Sequence, residues 1–147
     1  MAKLNVDSAK RELESVLALT QDMSMLPAEV QDAMLQAEAE VVYRAQHESA
    51  LKDLDERGYS TGATAAALAI DKPKGGKTRS ISIVFKGKRG AGKARRSTST
   101  VAFFNEFGSK KIHARKWIQK ANEKSADEAV KTAMKVYDNW LNSHLKE

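Results

Sequence analysis

The chain has 147 residues, of which 41% are hydrophobic, a formal net charge of +6 and no cysteine. This length indicates one domain with a core that buries roughly two-thirds of the surface exposed by the unfolded chain. The lack of cysteine excludes disulfides and thiolate chemistry and fits a reducing cytosol. The longest apolar run, Ala65–Ile70, is too short to cross a bilayer, and we expect no signal peptide, because no apolar run follows the first lysine.

Charge is distributed unevenly along the chain. Residues 71–100 hold ten basic residues and one acid, a net of +9, whereas residues 21–57 hold nine acids and three bases, a net of −6. Such a chain attracts polyanions at one segment and repels them at another. It can also attract a copy of itself head to tail.

Helical patterns dominate the first part of the chain. Residues 7–20 place apolar side chains on one face and predict a short amphipathic helix. A second, longer helix is predicted to begin at Pro27, which suits a first helical position, and to stop at Gly58. The small-residue run Tyr59–Ile70 fits a short helix or a strand, and its periodicity does not decide between them.

The middle of the chain predicts a hairpin with a long loop. Ser80–Phe85 alternates in side-chain character as a strand does, and a second strand is predicted at Ser99–Phe103. The thirteen residues between them make a loop of a length that is usually functional or disordered when free. Together with the preceding lysine-rich stretch, this loop forms what we call the basic arm, residues 71–100. Its candidate DNA- or partner-contacting residues are Lys72, Lys74, Lys77, Lys86, Lys88, Arg89, Lys93, Arg95 and Arg96.

The basic arm has two interpretations. It is a solvated, flexible loop that keeps the protein soluble, or it is an arm that contacts phosphates. Lysine and arginine without interleaved aromatic residues would give salt-sensitive contacts that are independent of sequence. Phe85 is the one aromatic residue within Lys72–Arg96, which argues against base stacking on this arm.

The last third of the chain combines aromatic residues with a glycine turn. Helices are predicted at Ala114–Asn122 and, from a capping-box pattern at Ser125 and Glu128, from about Ala126 onward. The aromatic residues Phe103, Phe107, Trp117 and Trp140 form a core that closes the sheet, or part of this set is an interface anchor. We expect Arg115 to be the partner of the Glu106 carboxylate. The residues predicted to hold the turn are Glu106, Phe107, Gly108, Arg115 and Trp117, and we expect Gly108 to need positive φ or close packing.

No motif in the chain indicates catalysis. Gly87–Ala94 matches most of a phosphate-binding loop, but Ala94 stands where a hydroxyl should bind magnesium and no apolar helix follows. The three histidines are scattered, and no cysteine joins them, so we expect no metal site. We predict no catalytic residue and no cofactor.

The segment Ala102–Ala121 carries a family resemblance. Its order of Glu-Phe-Gly, a lysine-rich turn and Ala-Arg-x-aromatic at the start of a helix resembles the neck or tail-completion proteins of long-tailed bacteriophages. In that family the segment reads roughly Glu-Phe-Gly-Thr, a short loop, Ala-Arg-Pro-Phe and a helix. The resemblance covers Val101–Trp140 well, and His113 and Lys116 stand where the family usually has prolines.

The resemblance implies a structural virion protein rather than an enzyme. It implies a ring, hexameric in the family, at the head–tail junction, where it completes or joins the tail and leaves a channel for DNA. The implied partners are copies of itself, neck and tail-tube or tail-terminator proteins, and the passing genomic DNA, contacted without sequence specificity. The implied location is the virion, and the host cytoplasm during assembly. The fold expected for residues 1–147 is a single α+β domain with a small antiparallel sheet, a flexible, long basic hairpin arm, and flanking N- and C-terminal helices. The alternative function is a small basic DNA-binding architectural protein.

Overall fold

The computed structural model describes Glu14, residues 25–54 and residues 62–145. The helices in these residues are α1 (Ala28–Asp53), α2 (Ala63–Ala67), α3 (Thr98–Phe107) and α4 (Trp117–His144), and the strands are β1 (Leu68–Ile70), β2 (Ile83–Phe85), β3 (Lys88–Arg89) and β4 (Arg96–Ser97). β1 pairs antiparallel with β2, and β3 pairs antiparallel with β4. The mixture of helices with small antiparallel sheets confirms the predicted α+β class.

α1 and α4 form an antiparallel pair that is the framework of the fold. They have 26 and 28 residues and are therefore about 39 Å and 42 Å long. At one end of the pair Val30 and Met34 of α1 pack with Ala133 of α4, and at the other end Ala50 packs with Trp117. The buried residues of α4 recur every fourth position and, apart from the first, are small: Trp117, Ala121, Ser125, Ala129 and Ala133. Small side chains on this face allow α1 to approach closely.

A second packing centre joins the remaining elements to this helix pair. The Trp117 side chain is fully buried and packs in one cluster with Ala65 of α2, Leu68 of β1 and Ala102 of α3. Phe85 of β2 meets the Trp117 ring edge-on, with 5.8 Å between ring centroids. One indole thus contacts every layer of the domain, so the position of α4 determines where the sheet and α3 lie.

The strand predicted at Ser99–Phe103 is wrong, because this segment belongs to α3. Ser97 precedes the helix with extended backbone, and its hydroxyl accepts a hydrogen bond from the Thr100 N–H at 3.2 Å, as an N-cap residue does. The partner of β2 is instead β1, in the register Leu68 with Phe85. The predicted strand Ser80–Phe85 is confirmed over Ile83–Phe85, and its first residue forms an isolated bridge with Lys74. For the run Tyr59–Ile70 the sequence left a helix and a strand open as alternatives. The run contains both, since α2 is followed by β1.

The helix boundaries also differ from the prediction. Pro27 precedes α1 with φ −53° and ψ 142° instead of occupying its first turn. Residues 7–20, apart from Glu14, and Gly58 lie outside the described residues. The break predicted near Ala126 is wrong, because α4 is continuous there. Ser125 lies on the buried face of α4, and its hydroxyl donates to the Ala121 carbonyl at 2.9 Å rather than capping a new helix.

Gly108 ends α3 in a conformation that requires glycine. Its φ of 78° and ψ of 179° lie in a region that other residues avoid, and its N–H donates to the Phe104 carbonyl at 2.8 Å. A Cβ at this position would lie 2.8 Å from the Ala114 nitrogen and 2.9 Å from the Ile112 oxygen. The expectation of positive φ or close packing at Gly108 is therefore confirmed on both grounds.

Gly108→Ala should destabilise the protein by about 1–3 kcal/mol, because both the backbone conformation and the two main-chain contacts oppose a Cβ. Gly76→Ala is the matched control, since a Cβ there would meet nothing within 4 Å. We expect the control to change the free energy of unfolding by less than about 0.5 kcal/mol. Denaturant unfolding measures both, and equal stability of the two variants would show that the turn does not need its glycine.

Candidate interaction surface

The turn between α3 and α4 is held by a buried carboxylate. Glu106 is 5% exposed, and its two oxygens accept hydrogen bonds from the N–H groups of Ile118 at 2.7 Å and Gln119 at 3.1 Å. These groups belong to the first turn of α4 and have no partner within their own helix. A negative charge is also favourable at this end of a helix dipole. Glu106 therefore caps α4 from the preceding helix and fixes the angle between α3 and α4.

The sequence predicted Arg115 as the partner of Glu106, and the structure shows the Glu106 carboxylate accepting from the N-terminus of α4. Arg115 donates from Nη1 to the Leu54 carbonyl at 3.1 Å, which ties the turn to the end of α1. Lys116, the residue before α4, has φ 50° and ψ 38°. Proline cannot adopt this conformation, because its ring fixes φ near −65°. The entry into α4 thus differs in backbone geometry from an Ala-Arg-Pro-Phe turn.

Glu106→Ala should lower the free energy of unfolding by about 1–3 kcal/mol, because it leaves two N–H groups of the first turn of α4 without their charged acceptor. Glu123→Ala is the control, since Glu123 lies on the exposed face of α4 and accepts only an exposed bond from Gln119 among its recorded contacts. Thermal and denaturant unfolding provide the measurement. A Glu106 variant as stable as the Glu123 variant would contradict the capping role.

The outer face of α3 is aromatic and exposed. Phe103, Phe104 and Phe107, which we call the aromatic face, are 56%, 40% and 66% exposed. The Phe103 ring lies 6.1 Å from that of Phe104 and 4.8 Å from that of Phe107, centroid to centroid. The opposite face of the helix carries Thr98, Ala102 and Glu106, which are buried.

The prediction that Phe103 and Phe107 lie in the core is therefore wrong. Helical spacing places Ala102 and Glu106 against the rest of the domain and turns the phenylalanines outward. The prediction assumed a strand, in which alternate residues share a face. The two tryptophans are packed, Trp117 in the centre described above and Trp140 against the cluster of Val30 and Met34 at the far end of the helix pair. The sequence also allowed some of these aromatic residues to serve as an interface anchor. The exposure of Phe103 and Phe107 fits that alternative.

The basic arm, residues 71–100, runs from the connection after β1 through β2 and the β3–β4 pair to the start of α3. The connection between β1 and β2 carries the first lysines, and the connection between β3 and β4 carries the last basic residues. All nine candidate residues of the arm are exposed except Arg89, which is half-buried. The segment Gly87–Ala94 forms part of the β3–β4 pair, and α3 begins only at Thr98, after β4. The stretch contains only the three-residue 3₁₀ helix Gly92–Ala94, and no α-helix begins in it as a phosphate-binding loop requires.

One ion pair anchors the first connection of the arm to α1. Arg79 donates from Nε and Nη2 to the two carboxylate oxygens of Asp32, both at 2.7 Å, and from Nη1 to the Gly75 carbonyl. The hydrogen bonds from Arg79, aided by its charge, hold the pKa of Asp32 below its usual range against an opposing effect of burial. The same bonds raise the pKa of Arg79. We call this pair the Asp32–Arg79 clamp, and sequence reasoning missed it, because forty-seven positions separate its members.

The clamp makes stability depend on pH in a defined direction. Because the folded state lowers the pKa of Asp32, the contribution is present above the unfolded-state pKa of about 3.9 and is lost as pH falls through the lowered value. The stability difference between wild type and Asp32→Asn should therefore be constant near neutral pH and shrink to nothing in acid. Asp71→Asn is the control, since Asp71 contacts only the exposed Lys74, at 3.8 Å, among the recorded ion pairs. A difference between wild type and Asp32→Asn that grows on acidification would contradict this assignment.

Within residues 25–54 and 62–145, no three His, Asp or Glu side chains are grouped so as to hold a metal ion. In the same residues, no helix combines the length and apolar character that crossing a membrane demands.

Comparison with known proteins gives no match. No protein-family model matches the chain, and no curated protein or solved structure shows significant similarity to it. The resemblance to phage neck and tail-completion proteins therefore stays a prediction that depends on the residues of Val101–Trp140.

Proposed function

We propose that this chain is a structural protein of the phage head–tail junction, where copies of it form a ring that completes or joins the tail and leaves a channel for DNA. The observation that carries the proposal is the aromatic face, which lies inside the segment with the family resemblance. Three neighbouring phenylalanines exposed on one helix are unusual for a protein that works alone. Aromatic residues are the favoured anchors of protein–protein interfaces.

The geometry of the turn supports an assembly role for this face. Glu106 and Gly108 hold α3 against α4, so the phenylalanines belong to a packed helix and not to a loop. A preformed surface loses little conformational freedom when a partner binds. Within this turn the Glu106 carboxylate caps α4 and thereby ties α3 to it.

The separation of charge supports contacts between copies. The described part of α1 presents exposed acids such as Glu29, Glu40 and Glu48, whereas the basic arm presents exposed lysines and arginines. A contact between two different surfaces of the same chain closes into a ring when its rotation permits. Opposite charges across such a contact align the subunits more than they strengthen the interface.

The basic arm has a second role in this proposal. The β3–β4 connection is mobile in the free subunit, becomes ordered on assembly and lines the channel in part. Its lysines and arginines meet phosphates without base recognition, and the salt of the cell weakens these contacts enough for DNA to pass.

The second candidate function is a small architectural DNA-binding protein. The exposure of eight of the nine candidate arm residues favours it, since phosphate contacts need accessible cations. Its affinity for duplex DNA should persist at physiological salt, whereas a ring component should bind free DNA weakly under those conditions.

Reversing the charge of the arm tests the proposal. The variant carries Lys88→Glu, Lys93→Glu, Arg95→Glu and Arg96→Glu, and it retains Arg89, whose Nε is buried. It should fold with unchanged circular dichroism, because all four replaced residues are exposed. We expect it to fail to restore joining of DNA-filled heads to tails assembled without this protein, or to slow DNA delivery where joining survives.

A matched control reverses four exposed lysines outside the arm. They lie on α4: Lys120, Lys124, Lys131 and Lys135. This control should join heads to tails far better than the arm variant. Phage yield and DNA delivery at wild-type levels with the arm variant would overturn the role of the arm, and failure of the wild-type protein itself to restore joining would overturn the proposed function.

A further inference from the structure

We infer that the aromatic face of one copy docks into an apolar pocket at the far end of the α1–α4 pair of a second copy. This inference rests on the proposed ring and names the two surfaces that would form its subunit contact. The chain exposes the aromatic face near one end of the α1–α4 pair and an apolar pocket at the other end.

The pocket lies between the start of α1 and the end of α4. It has a volume of about 350 Å³, and its apolar walls include Val30 and Ala33 of α1 and Val136 and Trp140 of α4. Glu29 and His144 lie at its edge. Pockets that accept small ligands or anchoring side chains begin at roughly 300 Å³. The pocket is therefore large enough for an aromatic anchor, and its walls match one chemically.

A chain cannot fill its own pocket with its own aromatic face. α3 is attached to the beginning of α4 through the bonds of Glu106 to Ile118 and Gln119, whereas the pocket uses Trp140. Trp140 follows Ile118 in the same continuous helix at a distance of about 33 Å along the helix axis. A second copy is thus the occupant for which the chain itself supplies both surfaces.

Chemistry at the two surfaces is complementary. Phenylalanine rings can meet the Trp140 indole in edge-to-face or offset arrangements, which stabilise aromatic pairs beyond the area that they bury. Lys110 and Lys111 are exposed in the loop that follows the aromatic face, and Glu29 is exposed at the pocket edge. When the apolar surfaces meet, these opposite charges fall on the rim, where they help to orient the two copies.

Two other uses of the aromatic face fit the geometry less well. Stacking of successive bases favours aromatic rings that present parallel faces, whereas Phe103 lies at 49° to Phe107 and at 77° to Phe104. A symmetric dimer in which two aromatic faces meet would bring Lys110 and Lys111 of both copies together.

Cysteine cross-linking tests the contact directly, because the natural chain has no cysteine. Phe107→Cys and Ala33→Cys replace exposed residues, one on the aromatic face and one on the pocket wall. Mixing the two single variants under mild oxidation should give a disulfide-linked dimer of one copy of each. The double variant should give a ladder of covalent oligomers that ends at the ring, since each copy then carries both surfaces.

The control pairs Phe107→Cys with Val130→Cys, which is 56% exposed on α4 and does not line the pocket. That pair should give at least tenfold less mixed dimer. Dimers formed by Phe107→Cys alone, at the rate of the mixed pair, would indicate the symmetric contact and overturn the inference, as would the absence of mixed dimer from the pocket pair.

Phe103→Ala should weaken self-association on the order of tenfold or more while the monomer stays folded, because the side chain is exposed in the free subunit. Sedimentation velocity measures this effect. The outcomes separate the two proposals. Restored joining of heads to tails without the pocket cross-link overturns this contact alone, whereas the cross-link without restored joining overturns the proposed function alone.

Discussion

The close approach of α1 and α4 through the small residues of α4 determines the position of every other element. Ala121, Ser125, Ala129 and Ala133 form a buried stripe of small side chains along α4, and the two helices pack against each other along it. Trp117 stands at the first position of the same stripe and is fully buried. Its indole is the largest fully buried side chain among the described residues, and it lies where α2, the sheet and α3 meet the pair. Shifting this contact by one turn would expose the tryptophan and separate the sheet from the helices.

The exposed surface follows from that constraint through two polar contacts. Glu106 can reach the first turn of α4 only if α3 crosses it at one angle, and Gly108 permits the tight reversal that this crossing needs. With Ala102 and Glu106 directed inward, helical geometry leaves the phenylalanines outside. The aromatic face is therefore exposed because of the way the turn holds α3. The same contacts that stabilise the turn keep the three phenylalanines at the surface. The Asp32–Arg79 clamp acts similarly on the arm by fixing the β1–β2 connection to α1.

Sequence patterns predicted the features that depend on local spacing. The long helix after Pro27, the strand ending at Phe85 and the glycine requirement at Gly108 each have a local signal, and each is present. The other predictions were wrong or incomplete because contacts beyond the local pattern determine the structure at those positions. The stretch after Ser97 contains β-branched and aromatic residues and looks like a strand, but the Ser97 cap and the burial of Ala102 against Trp117 favour a helix. Ser125 and Glu128 look like a helix start, but the buried stripe of α4 needs a continuous helix there. The partner of Glu106 could not be foreseen, since an acid preceding a glycine turn gives no indication that it will cap the next helix.

A ring component and a DNA-binding protein differ most sharply in their behaviour when the purified chain is mixed with duplex DNA and no other protein. Native mass spectrometry of the purified chain, with and without duplex DNA in a buffer of physiological ionic strength, distinguishes them in one experiment. We predict closed oligomers at one integer multiple of the 16.2 kDa subunit mass, unchanged by DNA. Monomers that bind duplex DNA in fixed proportion and form no oligomer would contradict the proposal that the chain is a ring component.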